Sequence, residues 1–161
     1  SKTYGSSNNE YGRSIIDSDD GGYLIFATSE SFGNDNTGLH NIKIDSTGLE
    51  EWNKSFGGFY GKNGNVIRQS PNGGYILISS RYNFNDNSYN MWLIKMDSNG
   101  STEWTKTFGN SNNDYGFGIA ITSDNGFILT GSTSNYGNSS SDLSDIWVIK
   151  TNLNGETLDP N

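Results

Sequence analysis

The chain has no cysteine among its 161 residues, which excludes a disulfide framework, a thiolate metal site and a thiol nucleophile. It also has no apolar run near the roughly 18 residues that a membrane-spanning helix needs. Positive charge is scarce, because 10 lysines and arginines stand against 18 acidic residues for a net charge of −8. This balance argues against nucleic-acid binding, which depends on clustered lysine and arginine.

What the chain does have is a threefold repeat. The sequence matches itself at a shift of 52 residues, and the third unit is three residues longer before its lysine. Matched positions include Tyr4, Phe56 and Phe108, each followed by glycine; Tyr23, Tyr75 and Phe127, each preceded by glycine; and Lys43, Lys95 and Lys150. We therefore divide residues 1–161, taken as a single module, into repeats 1–52, 53–104 and 105–159. A period near 50 residues indicates units that bury their apolar faces by stacking on neighbours.

Within each unit, turn signals separate four short strand-like runs. In the second unit Asn72-Gly73 predicts a hairpin turn after the first run, and residues 97–100 predict another between the third and fourth. Continuous apolar stretches such as residues 75–78 indicate strands covered on both faces. The sequence thus predicts an all-β fold, a β-propeller built from three four-stranded blades of about 52 residues. A β-sandwich and a β-solenoid are the alternatives.

The third turn carries a family resemblance. Residues 45–52 and 97–104 share the form D-x-[TN]-G-x-x-x-W. The form resembles the tryptophan-docking motif of quinoprotein (PQQ-like) β-propeller repeats, and the whole unit is similar to repeats of secreted bacterial and archaeal propeller proteins. The resemblance implies that tryptophan packs between blades, and we interpret Trp52, Trp92, Trp104 and Trp147 in this way. In the third unit Asp159 stands where the tryptophan would fall, and no quinone site is carried over.

Three blades are fewer than the roughly four to eight of a closed propeller. Residues 1–5 match the tail of a fourth strand, and residues 156–159 match its beginning. We therefore expect a homo-oligomer in which the N-terminus of one copy completes the third blade of another, so that two chains close a six-bladed ring. The rival interpretation is that the chain is a fragment of a longer propeller.

Antiparallel strands in chain order would place two sets of long loops on one face: residues 30–39, 82–91 and 135–146, and residues 5–11, 57–63 and 109–115. These loops combine aromatic rings with amides and carboxylates, a mixture that suits sugar rings and their hydroxyl groups. The candidate ligand-binding residues are Phe32, Asn34, Asp35, Phe84, Asn85, Asp86, Tyr89, Asn135 and Tyr136. The alternative is that these residues simply form the loops.

We expect no cofactor. Calcium is the alternative, and the weak candidates for its oxygen ligands are Asp35, Asp86, Asp142 and Asp145. The single histidine, His40, stands where Trp92 and Trp147 stand and is interpreted as a packing residue. We predict a non-enzymatic, lectin-like binding module without catalytic residues, acidic and extracellular or at the cell surface, that recognises glycan or a partner protein. A purely structural adhesin segment and a glycosidase are the alternatives.

Overall fold

The computed structural model describes residues 1–32, 38–56, 66–134 and 144–158. Across these ranges the protein has eleven strands in three antiparallel sheets and no helix, which confirms the prediction that the fold is all-β. Sheet I contains β1 (Glu10–Asp17), β2 (Tyr23–Ser29), β3 (Gly38–Ile44) and β4 (Glu50–Phe56); sheet II contains β5 (Val66–Gln69), β6 (Tyr75–Asn83), β7 (Ser88–Met96) and β8 (Thr102–Phe108); sheet III contains β9 (Asp114–Ile121), β10 (Phe127–Thr133) and β11 (Asp145–Thr151).

In every sheet the strands lie side by side in chain order. Sheet III has three strands, and beyond β11 Thr157 forms an isolated antiparallel bridge with Thr151. Thr157 is the repeat equivalent of Thr102, the first residue of β8. This bridge lies at the position in sheet III where β8 begins in sheet II. No sheet closes on itself among the described strands.

The first hairpin of each unit uses the predicted turn residues. Gly21 and Gly73 have φ angles of 83° and 85°, and in the third unit Asn125, at 61°, takes this position. Asparagine tolerates the left-handed conformation better than most side chains, so the third turn forms without glycine there. In the third unit the positive φ therefore falls on Asn125 and not on Gly126, the glycine of the Asn-Gly pair.

The second turn of each unit is closed by its first side chain. Asp45 Oδ1 accepts hydrogen bonds from the backbone amides of Thr47 and Leu49, each at 2.8 Å. Asp97 and Asn152 bind their own turns in the same way. These bonds lower the pKa of Asp45, first through the Thr47 hydroxyl and then through the Leu49 amide. Local hydrogen bonding therefore accounts for the repeated acidic turn positions.

The sheets stack face to face and form two apolar cores. We call the face of each sheet that points toward the preceding repeat its front face, and the opposite face its back face. The first core joins the back face of sheet I, with Leu24, Phe26 and Leu39, to the front face of sheet II, with Ile67, Tyr75, Leu77, Trp92, Ile94 and Met96. The second joins the back face of sheet II, with Ile76, Ile78, Met91 and Leu93, to the front face of sheet III, with Ile119, Phe127, Leu129 and Ile149. The same pairing of faces occurs twice.

Tryptophan rings lie at both sheet interfaces. Trp52 packs against the first core and Trp104 against the second. A β-carbon on Gly100 would lie 2.6 Å from the Trp52 ring, and one on Gly155 would lie 2.8 Å from the Trp104 ring. Each ring thus lies on the glycine of the next sheet's second turn. Trp92 belongs to the first core, and Trp147 is partly buried against the second.

One lysine in each unit ties the sheet to its turns. Lys43 is buried, and its Nζ lies 2.7 Å from carboxylate oxygens of Asp20 and Glu51. Burial lowers the pKa of Lys43, but the hydrogen bonds to both carboxylates outweigh burial and raise it overall. The hydrogen bond from Lys43 in turn lowers the pKa of Asp20. The repeated lysine therefore has a structural role, which its burial in an ion pair explains.

Candidate functional site

Two connections of the described chain meet at one end of the sheets. The β6–β7 hairpin of sheet II touches the β8–β9 connection, since Ser88 Oγ lies 3.1 Å from the Asn110 carbonyl oxygen. The Tyr89 amide donates to Asn113 Oδ1 at 3.0 Å. Chain segments after a second and a fourth strand therefore converge, as antiparallel strands in chain order require. We call this end the loop end.

The β6–β7 connection differs from the long loop predicted over residues 82–91. Both strands continue into that range, to Asn83 and from Ser88, which leaves a four-residue turn. Side chains close it: Asp86 accepts from Asn83 Nδ2 at 3.0 Å and from Ser88 Oγ at 2.7 Å, while Asn87 has a φ of 53°. This is a rigid hairpin rather than a long loop, because polar side chains satisfy the turn internally.

Five aromatic rings form a row that runs from this hairpin to sheet III. The aromatic row consists of Phe84, Tyr82, Tyr89, Tyr115 and Phe117 in spatial order. Successive ring centroids are 5.0, 5.1, 5.4 and 6.3 Å apart. Phe84 is 58% exposed, and Phe117 is also exposed. Burial raises the pKa of the Tyr115 hydroxyl, so the ring is neutral at physiological pH. The row crosses the boundary between two sheets, so its geometry depends on their stacking.

An open groove of about 420 Å³ lies beside the Phe84 end of the row. The described residues that line it are Arg81, Tyr82, Asn83, Phe84, Asn85, Asn90 and Thr107. The Arg81 guanidinium carbon lies 5.5 Å from the centre of the Trp92 ring, a cation–π distance. Asn90 is 5% exposed, and its Oδ1 has no hydrogen-bond partner. A buried acceptor without a partner carries a desolvation cost, which a hydrogen-bond donor on a ligand would remove.

The predicted ligand-binding residues do not all come together. Phe84 and Asn85 line the groove, Tyr89 belongs to the aromatic row, and the Asp86 carboxylate holds the hairpin. Phe32 lies elsewhere, because its ring stacks on His40 of sheet I at 4.4 Å. The other predicted positions, Asn34, Asp35, Asn135 and Tyr136, lie outside the described residues.

Sequence reasoning does not identify seven contributors to this region: Arg81, Tyr82, Asn83, Asn90, Thr107, Tyr115 and Phe117. Five of them lie within or beside ranges predicted as loops, whereas Thr107 and Phe117 lie within β8 and β9. Strand alternation through residues 81–83 could have indicated that β6 extends this far, since Tyr82 and Tyr89 occupy facing positions in the β6–β7 ladder. The contact between Tyr89 and Tyr115 joins different sheets and has no local signal.

Metal ligands do not gather in the described part of the chain. No group of three or more histidine, aspartate or glutamate side chains with a metal-binding arrangement occurs there. Of the calcium candidates, Asp86 lies in the β6–β7 turn, Asp145 begins β11, and Asp35 and Asp142 lie outside the described residues. The Asp86 oxygens bind Asn83 and Ser88 instead.

His40 occupies a packing position in sheet I. It is buried, its ring stacks on Phe32, and its Nδ1 lies 2.8 Å from Ser55 Oγ. Burial lowers its pKa, and the charges of Glu50 and Glu10 only partly oppose the shift. The imidazole is therefore neutral at physiological pH.

No family model matches the chain, and no curated protein matches it significantly. The described segments contain no helix that is both long and apolar enough to cross a membrane.

Proposed function

We propose that this chain is a secreted or cell-surface binding module, built as three blades of a β-propeller, that recognises glycan at its loop end. The ligand lies in the groove beside the β6–β7 hairpin, with Phe84 as its principal aromatic platform. The stacking of three sheets, two with four strands and one with three, and the convergence of two connections at the loop end support the propeller arrangement. The module binds its ligand without transforming it.

The aromatic row carries this proposal. Sugar rings present patches of C–H groups that pack on aromatic faces, while their hydroxyls need hydrogen-bond partners at the sides. Phe84 offers an exposed ring at the groove, and the side-chain amides of Asn85 and Asn90 line the same groove. An aromatic platform bordered by amides fits a neutral sugar better than an apolar ligand, because an apolar ligand would leave the amides without hydrogen-bond partners.

Rigidity of the site also supports binding. The turn that carries Phe84 is fixed by the side chains of Asn83, Asp86 and Ser88. A platform that is already held in place loses little conformational entropy when the ligand binds. Affinity is then limited mainly by the contacts themselves.

The chemistry of the groove favours recognition over hydrolysis. A glycosidase uses two carboxylates about 5 to 10 Å apart on either side of the scissile bond. None of the described residues that line the groove carries a carboxylate, and Asp86 nearby uses its oxygens in the turn. The groove is therefore assigned to binding.

A glycan array followed by calorimetric titration of the best neutral oligosaccharide tests the proposal. Replacing Phe84 with alanine removes the exposed platform and should weaken binding roughly tenfold, the effect of losing about 1.4 kcal/mol of stacking. The thermal melt should stay unchanged, because more than half of the Phe84 side chain is already exposed.

Leu49→Ala is the matched control. Leu49 is an exposed apolar residue in the β3–β4 turn, at the end of the sheets opposite the loop end. Its replacement should leave the affinity unchanged. The absence of saturable binding to any glycan, or an equal affinity of Phe84→Ala and wild type, would refute the proposed site.

A further inference from the structure

The two outer faces of the three-sheet stack expose positions that the repeat elsewhere buries. On the back face of sheet III, Ile146 is 85% and Val148 is 56% exposed. Their repeat equivalents in sheet II, Met91 and Leu93, are fully buried in the second core. An apolar pair on β11 is thus open where the same pair on β7 is covered.

The front face of sheet I shows the complementary difference. Ile15 is 59% exposed, whereas its repeat equivalents Ile67 and Ile119 are buried in the first and second cores. Tyr23 is likewise exposed, while Tyr75 is buried. Sheet I therefore presents the type of face that covers the back of a preceding sheet at both internal interfaces.

The N-terminal residues already lie where the fourth strand of a preceding sheet would lie. A β-carbon added to Gly100 would contact the Trp52 ring and the Lys54 side chain, both from β4 of the preceding sheet. A β-carbon added to Gly48, the repeat equivalent of Gly100, would contact Lys2 and Tyr4 instead. Tyr4 also donates a hydrogen bond from its hydroxyl to the Gly48 carbonyl. Lys2 is the repeat equivalent of Lys54, so residues 1–4 imitate β4 on the front face of sheet I.

We propose that the back face of sheet III binds the front face of sheet I of a second copy of this chain, and that residues 1–4 of that copy add to the open edge of β11. The register follows from the β7–β8 ladder, in which Met91, Trp92, Leu93 and Ile94 pair with Phe108, Thr107, Lys106 and Thr105. By repeat equivalence, Ile146, Trp147, Val148 and Ile149 pair with Tyr4, Thr3, Lys2 and Ser1 of the second copy. Thr157, which bridges Thr151, then begins the strand that these residues continue.

The number of copies expected for the 161-residue chain follows from the three sheets that its described residues form. Contacts between unlike faces add copies head to tail, and the series of copies ends only when it closes into a ring. Closed rings of this kind contain roughly four to eight sheets. Two copies supply six sheets, whereas one copy or three copies fall outside this range. For the 161-residue chain, the proposal therefore predicts a dimer with two equivalent interfaces.

Light scattering coupled to size exclusion tests the proposal directly. The wild-type chain should have twice the chain mass of 17.6 kDa at micromolar concentration. Val148→Asp places a charge in the centre of the interface and should weaken dimerisation by at least about 30-fold, as for a central interface residue. It should still fold, because Val148 faces solvent in the single chain. Ser98→Asp adds the same charge in an exposed turn and should leave the mass unchanged.

A mixing experiment distinguishes unlike faces from like faces. Ile15→Lys disrupts the front face and Val148→Asp disrupts the back face, so each variant alone should be monomeric with a cooperative melt. In a mixed dimer, the intact back face of the Ile15→Lys chain meets the intact front face of the Val148→Asp chain, so one of the two interfaces is wild type. A particle of two chains should therefore form again on mixing. A wild-type mass of one chain with a cooperative melt, an unchanged dimer for Val148→Asp, or no recovery on mixing would each overturn the proposal.

Discussion

Replacing Gly100 with alanine tests the contact that joins one sheet to the next. Gly100 lies in the β7–β8 turn with a φ of 76°, and a β-carbon there would lie 2.6 Å from the Trp52 ring of sheet I. The substitution thus imposes two costs. The left-handed backbone disfavours any β-carbon, and the added methyl group forces the tryptophan ring to move.

The structure supplies a control that separates these costs. Gly73 has a φ of 85°, but a β-carbon there would meet no atom within 4 Å. Gly73→Ala should therefore cost only the backbone term, about 1 kcal/mol after allowing for the lower entropy of the unfolded alanine chain. Gly100→Ala adds an overpacking cost of about 1–3 kcal/mol, which gives a total of about 2–4 kcal/mol.

Equilibrium urea unfolding followed by tryptophan fluorescence measures both variants. All samples are compared at one protein concentration and in the Val148→Asp background, so that dimerisation does not contribute to the free energy of unfolding. The linear extrapolation gives the two differences, provided that the slopes agree.

A double-mutant cycle identifies the source of the extra cost. In a Trp52→Leu background the ring is absent, and Gly100→Ala should cost about as much as Gly73→Ala. If Gly100→Ala is no more destabilising than Gly73→Ala in the native background, the ring does not rest on this glycine and the stacking of sheets I and II is wrong.

Two further variants test the buried polar groups. Lys95→Met should destabilise the chain by about 2–3 kcal/mol in urea unfolding, because Lys95 Nζ donates to two backbone carbonyls at 2.8 and 3.0 Å and to a carboxylate at 2.7 Å. Lys150→Met is its control and should cost about 1 kcal/mol or less, since this lysine is one-third exposed; equal losses would contradict the argument. Burial lowers the pKa of His40 in the folded chain below its usual value near 6.5. The unfolded chain then takes up the proton first, so stability falls as the pH drops through this value, and urea midpoints at several pH values should show His40→Phe to lack this fall. A fall of the same size in His40→Phe would assign it to other groups.

The sheets could be predicted from local sequence because each turn carries its own signal. Asp45 and Asp97 close the second turns with their own side chains, and Gly21 and Gly73 supply positive φ in the first. These interactions span four residues or fewer, so a single stretch of sequence contains all the partners. The repeat period then places the turns in register across the three units.

The candidate site could be predicted only in part. Phe84 and Asn85 were found from composition alone, because an exposed hairpin rich in aromatic and amide residues is visible locally. The length of the hairpin was missed, since it depends on how Asn83, Asp86 and Ser88 bind one another. Asn90 was missed because its buried, unpartnered oxygen becomes apparent only when neighbouring strands surround it.

The two proposals are coupled through the aromatic row. At the interface between sheets II and III, Tyr115 of the following sheet lies beside Tyr89 of the preceding one, which extends the row across the boundary. Tyr11 is the repeat equivalent of Tyr115 and is exposed on sheet I. Docking of sheet I on sheet III of another copy would bring Tyr11 to the loop end of sheet III, in the position that Tyr115 holds beside sheet II. Dimerisation would then place an aromatic ring at the boundary between chains, where the single chain has only one side of the site.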